Sequence, residues 1–194
     1  MNREPIQLQT PLHMEDIEPL RTGDIVRLSG VLYTARNAAH ARMKEAIEGG
    51  EPLPFEPEGQ VIYFTGPAPA RPGSALGPAG PTTASRMDPY SPLLIERGLR
   101  AMIGKGLRSE RVLESMREHG CVYFGAVEGT AALLAECVKE AEVVAHEDLD
   151  PEAIHRLLVE DFPVVVVNDL YGGDLYREGH RRWRKSVDSE LQER

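Results

Sequence analysis

Three short polar clusters hold the side chains best able to do chemistry. The first is Thr34-Ala35-Arg36-Asn37-Ala38-Ala39-His40, where an apolar run gives way to helical spacing. With Asn37 as N-cap, Arg36 stands beside free backbone N–H groups and the positive end of the helix dipole, a setting that suits a carboxylate. The second is Gly80-Pro81-Thr82-Thr83-Ala84-Ser85-Arg86-Met87-Asp88, in which glycine and proline fix the backbone ahead of hydroxyl and guanidinium donors. The third is Ile103-Gly104-Lys105-Gly106, an ammonium between two glycines that permit close approach of a ligand. It is not a P-loop, because Gly106 stands where that motif requires Ser or Thr. Plainer readings exist for each: an arginine paired with a surface acid, or threonines that satisfy only their own backbone. Taken together, two arginines and one lysine form the set expected for a small dianion with two carboxylates.

Composition narrows the alternatives. Thirty-one acidic against twenty-two basic residues give a net charge of -9, so the global field repels nucleic acid and anionic membranes, and an anion must be held locally. The six histidines are scattered without HxxxH or HExxH spacing, which gives a metal site little support. Cys121 and Cys137 form no CxxC pair and read as reduced core thiols. No run approaches the roughly 20 apolar residues of a membrane span, and the first residues lack the apolar core of a secretory signal, so a cytoplasmic location is expected.

The elements that must position these clusters can be read from apolar spacing. Strands are expected over Asp24–Leu28, Val31–Thr34, Val61–Thr65, Leu99–Ile103, Cys121–Ala126, Glu142–Ala145 and Pro163–Val167, several of them buried on both faces. Helices are expected over Ala38–Glu48, from Ser91-Pro92 through Glu96, from Ser109 to Gly120, from Thr130 through Val138, and from Asp150-Pro151 through Leu158. This alternation predicts a layered α/β domain, though two adjacent strands around Ser29-Gly30 argue against a plain doubly wound sheet. The segment 66–90 has ten Gly or Pro in twenty-five residues and ends in the Thr82–Arg86 cluster, so it reads as a functional loop. The last residues, with Arg181, Arg182, Trp183, Arg184 and Lys185, read as a charged tail over 177–194.

The strings TARNAAH, YFTGPAP, GPTTASRMD, IGKG, VYFGAVEGTAAL and EDFPVVVVNDLYGGDLY, in this order, resemble the beta-type domain of class I fumarate hydratases and L-tartrate dehydratases. The resemblance implies a single swivelling β/β/α domain over residues 1–176. It also implies an alpha-type partner subunit that carries a [4Fe-4S] cluster through three cysteines, in an assembly of two alpha and two beta chains. The reaction implied is reversible hydration of fumarate to (S)-malate, with L-tartrate dehydration as the alternative and a non-catalytic anion-binding module as the alternative of another class. Residue by residue, it implies that Arg36, Arg86 and Lys105 contact the substrate carboxylates with Thr83 beside them, and that Thr82 abstracts the proton. His40 falls at the family's histidine. Asn37 departs from the family's aspartate, which removes a negative charge beside Arg36.

Overall fold

The structure is a computed structural model, and the residues it describes are 4–126 and 131–179. Seven strands form one sheet: β1 Ile6–Gln9, β2 Ile25–Thr34, β3 Val61–Tyr63, β4 Ala101–Gly104, β5 Val122–Gly125, β6 Val138–Ala145 and β7 Ile154–Asn168. Their order is β1-β2-β3-β4-β5-β7-β6, and β2 also pairs with β7. That additional pairing closes β2, β3, β4, β5 and β7 into a five-stranded mixed barrel. β2 through β5 run parallel, while β7 is antiparallel to both of its barrel neighbours.

The alternation of side chains explains why the central strands are apolar throughout. Val61, Tyr63, Ala101, Ile103, Val122 and Phe124 point into the barrel with Leu28, Leu32, Leu157 and Phe162. The intervening Ile62, Phe64, Met102 and Tyr123 face outward, yet they too are buried. They are covered by helices α2 Asn37–Gly49, α3 Ser91–Ile95 and α4 Glu110–His119, through Met43, Leu94, Ile95, Val112 and Met116. The result is the expected β/β/α layering, in which strands sandwiched between two layers lose their polar face. Phe124 and Phe162, both fully buried, each contribute about 1.5–3 kcal/mol by leaving water. Two short helices, α1 Met14–Ile17 and α5 Ala131–Glu136, lie outside this layer. No described helix is long and apolar enough to cross a membrane.

Several expectations are corrected. The strands expected on either side of Ser29-Gly30 are one ten-residue strand, β2, with a register shift between Leu28 and Gly30. Gly30 has φ +106, and a Cβ there would lie 2.5 Å from Thr10 Oγ1, so only glycine lets the chain from β1 cross this close. The helix expected from Asp150-Pro151 does not form. A 3-10 segment at Glu147–Glu152 leads directly into β7, the longest strand. Ile154, Leu157 and Leu158 mimic helical spacing because both faces of β7 are apolar there, with Ile154 packed in the outer layer and Leu157 in the barrel. Beyond the turn at Asp161 (φ 53), burial of Phe162, Val164 and Val166 returns to strict alternation. β6 begins at Val138, which had been expected to end a helix, and β1 was not expected at all. Thr130 and the tail residues from 180 onward lie outside the described residues.

Candidate functional site

Parallel pairing in register brings four strand ends to one end of the barrel. Thr34 pairs with Tyr63, Tyr63 with Ile103, and Ile103 with Phe124. The residues that follow, Arg36, Gly66, Lys105 and Ala126, therefore leave the barrel together, at the edge where such sheets expose their working groups. β3 stops before β4 does, and Thr82-Thr83 fills the space between them. The Thr82 N–H donates to Phe64 O (2.6 Å), the Lys105 N–H donates to Thr82 O (3.3 Å), and the Ala84 N–H donates to Lys105 O (2.8 Å). Thr83 and Lys105 form an isolated parallel bridge. Gly104 permits this crowding, since a Cβ there would lie 2.9 Å from the Phe64 ring. The Gly/Pro-rich segment is held to the barrel by Tyr63 Oη donating to Ala79 O (2.6 Å) and Thr65 Oγ1 donating to Gly80 O (2.8 Å).

A buried arginine that the sequence did not bring to notice fastens this loop. Arg108 is 4% exposed, and its Nε donates to Asp88 Oδ1 (2.8 Å) while Nη2 donates to Ser91 Oγ (2.7 Å). Asp88 Oδ2 accepts the Ser109 N–H (2.7 Å) at the start of α4. The guanidinium lies over the rings of Phe64 and Tyr123 at 5.3 and 5.2 Å. The end of the GPTTASRMD string is thereby tied to the segment after IGKG. Nothing in residue type or spacing pairs Asp88 with Arg108; the contact exists only once β3 and β4 are adjacent.

Arg36 itself, not Asn37, occupies the N-cap of α2, and Asn37 is the first helical residue with its Oδ1 buried and unpartnered. The cap comes from elsewhere: Glu152 Oε2 accepts the Ala38 N–H (2.8 Å), and Glu152 Oε1 lies 3.3 Å from Arg36 Nη2. A carboxylate delivered by the 3-10 segment before β7 thus serves the helix terminus that Asn37 leaves without charge. The Arg36 side chain packs on Gly66, where a Cβ would come within 3.0 Å of Nη1. Arg36 and Glu152 are 26% and 24% exposed, so the guanidinium stays accessible at the strand ends.

His40 lies one turn along α2, fully buried against Phe64 and Tyr90. Its Nδ1 is 2.9 Å from Arg36 O, which fixes the neutral tautomer with the proton on Nδ1 and leaves Nε2 buried without a partner. Burial lowers its pKa to about 4, and the nearby Arg108 charge acts in the same direction. Because the folded pKa lies below the ordinary 6.5, the unfolded chain binds the proton first as pH falls. His40 is therefore expected to cost nothing above pH 6.5 and about 3 kcal/mol of stability as pH falls to 4. Urea midpoints measured between pH 7.5 and 4.5 test this; a His40→Asn variant should lose that part of the slope, and an unchanged slope would refute the assignment.

Thr83, Lys105 and Gly106 line one side of a cavity of about 500 Å³ whose far wall includes Val165, Val167 and Leu175. The fold thus brings Thr82, Thr83 and Lys105 into direct backbone contact, with Arg36 on the neighbouring strand end. Arg86 sits on the exposed face of the 3-10 turn Ala84–Met87, outside this cavity.

The pattern of the family described as "Fumarase C-terminus" matches residues 1–179. The chain belongs to this family. It is 38% identical to "Fumarate hydratase 2" of Leishmania major over 88% of this chain and 31% of that protein. It is 40% identical to "Fumarate hydratase class I, aerobic" of Escherichia coli K12 over 78% of this chain and 28% of that protein. With "Putative L(+)-tartrate dehydratase subunit beta" of Methanocaldococcus jannaschii it shares 35% identity, over 88% of this chain and 91% of that protein. The chain thus spans about a third of the length of the fumarate hydratases it matches.

This fumarase C-terminal domain comes from a family that uses an iron–sulfur cluster, and its own thiols do not fit one. Cys121 is fully buried, with burial pushing its pKa up to about 12, and it packs in the layer beneath the helices. Cys137 packs against the barrel interior cluster instead. Among the described residues no group of three or more His, Cys, Asp or Glu could hold a metal ion.

Proposed function

We propose that this domain is the beta subunit of a two-subunit hydro-lyase that interconverts fumarate and (S)-malate, and that it clamps the dicarboxylate. The observation that carries this reading is the insertion of Thr82-Thr83 between the ends of β3 and β4, against Lys105 and one strand away from Arg36, in a fumarase C-terminal domain. Cations gathered at strand ends offset the repulsion of a chain with net charge -9, so a dianion is held by local and not global field. In this reading Arg36 and Arg86 grip carboxylates with paired N–H groups, while Lys105 supplies a point charge and Thr83 a hydroxyl. Thr82 moves the C3 proton; a threonine hydroxyl does so only where neighbouring cations stabilise its alkoxide, a role that falls to the cations of the clamp in this reading.

The [4Fe-4S] cluster belongs, in this reading, to an alpha-type partner, with two alpha and two beta chains in the assembly and a cytoplasmic location. Support for the two-subunit arrangement comes from the match to a relative named subunit beta over 91% of that protein. The same match favours a second reading, dehydration of L-tartrate to oxaloacetate, which needs the same clamp on a substrate with one more hydroxyl.

The test is anaerobic hydration of fumarate by this chain, by an alpha-type partner with its cluster, and by the two combined. Only the mixture should form malate. Arg86→Ala is expected to lower kcat/KM by about 10 to 150 fold, the value of one charged hydrogen bond, without unfolding the domain, because Arg86 is exposed. Turnover of tartrate but not fumarate would move the assignment to the second reading. A chain that neither binds nor activates an alpha-type subunit would leave only an anion-binding module.

A further inference from the structure

The cavity beside Lys105 contains a hydroxyl to which the proposed clamp gives no role. Tyr176 follows Asp174, whose Oδ1 accepts the Arg177 N–H (3.1 Å) while its own N–H donates to Glu178 Oε1 (3.0 Å). This reciprocal cap fixes the start of the turn that carries Tyr176. Tyr176 lines the same cavity as Thr83, Lys105 and Gly106. Gly106, with φ +84, is gripped from both sides: Tyr123 Oη donates to its carbonyl (3.1 Å), and its N–H donates to Tyr176 Oη (3.1 Å).

A phenol that accepts one hydrogen bond still has its own proton to give, and no hydrogen bond from it to a described residue is present. Val165, Val167 and Leu175 give the cavity an apolar wall, and Tyr176 is 42% exposed, so its hydroxyl is accessible to a ligand that enters from solvent. A phenol O–H next to a lysine and a threonine hydroxyl makes a set of donors, and the ligand chemistry that complements such a set is an anionic oxygen pair.

We propose that Tyr176 is a further substrate-binding residue, its phenol donating to the carboxylate that Lys105 holds. This rests on the dicarboxylate function proposed for the site and adds to it a neutral donor from outside the three polar clusters. The Gly106 N–H aims the phenol: by occupying one lone pair of the oxygen, it directs the proton away from the IGKG turn and toward the cavity. The competing role is a brace that only holds Gly106 in place.

Tyr176→Phe in the assembled two-subunit enzyme separates the two, since the ring stays and only the hydroxyl is lost. KM for fumarate should rise on the order of 10 fold or more, with kcat within about twofold and the urea midpoint of the unliganded chain unchanged. An unchanged KM overturns the proposal, and so does a fall in kcat and stability together with KM unmoved, the signature of a brace. Arg86→Ala in the same assay tells the two failures apart. If Arg86→Ala is impaired and Tyr176→Phe is silent, only the Tyr176 assignment falls; if both are silent, the dicarboxylate function falls with it.

Discussion

Arg108→Met is expected to cost about 3–5 kcal/mol of stability, because it strands the Asp88 carboxylate in a largely buried position after removing its charged partner. For a chain of this size that corresponds to a fall of about 6 to 20 °C in Tm. The methionine retains apolar contact with Phe64 and Tyr123, so the loss reports on charge and hydrogen bonding more than on volume. Asp88→Asn should cost a comparable amount, since it leaves the buried Arg108 guanidinium without its counter-charge, and one amide oxygen cannot accept from both Arg108 Nε and the Ser109 N–H. The double variant should recover part of the loss, and chemical denaturation of the four proteins closes the cycle. A single Arg108→Met variant within 1 kcal/mol of the parent would show that the pair is not what fastens the Thr82 loop to α4.

The second large effect concerns chemistry rather than stability. Thr82→Val is expected to lower kcat by roughly 10² to 10⁴ fold, the usual contribution of a positioned proton-transfer group, with KM changed little. The fold should tolerate it, because the contacts that place Thr82 between Phe64 and Lys105 are made by its backbone. Thr82→Ser, which keeps a hydroxyl, should restore most of the rate. Pre-steady-state formation of malate by the assembled enzyme measures this directly. If Thr82→Val turns over within tenfold of the parent, another group moves the proton.

Much of the barrel was legible in the sequence, because strands buried on both faces carry continuous apolar runs and their ends carry the polar residues that cannot be buried. Val61 to Tyr63, Ala101 to Ile103 and Val122 to Phe124 follow that rule; the Arg36 cluster falls where β2 stops, the Lys105 cluster where β4 stops, and the Thr82 cluster folds back between the ends of β3 and β4. What was not legible depends on distant partners. Glu152 caps a helix 114 positions earlier in the chain, so local sequence names Asn37 as the cap when the fold has supplied a better one. Arg108 looks like any surface arginine until Asp88 and Ser91 are brought to it. β7 carries apolar residues on both faces, Ile154 toward the outer layer and Leu157 toward the barrel, and together with Leu158 they imitate a helix. Tyr176 lies in a string that carries the family resemblance, yet its role is visible only from the other side of the cavity.

The antiparallel closing strand also sets an order of events for the growing chain. Ile25 pairs with Val165, 140 positions later, and Tyr123 pairs with Asn168 on the other edge of the same strand. Until residues through Asn168 have left the ribosome, β2 and β5 each present a row of unpaired backbone groups, the geometry that invites pairing with another chain. Such high contact order makes closure slow as well as late. Expression of this domain should therefore respond to chaperone supply and growth temperature more steeply than its final stability alone would dictate, since the vulnerable interval comes before the barrel exists.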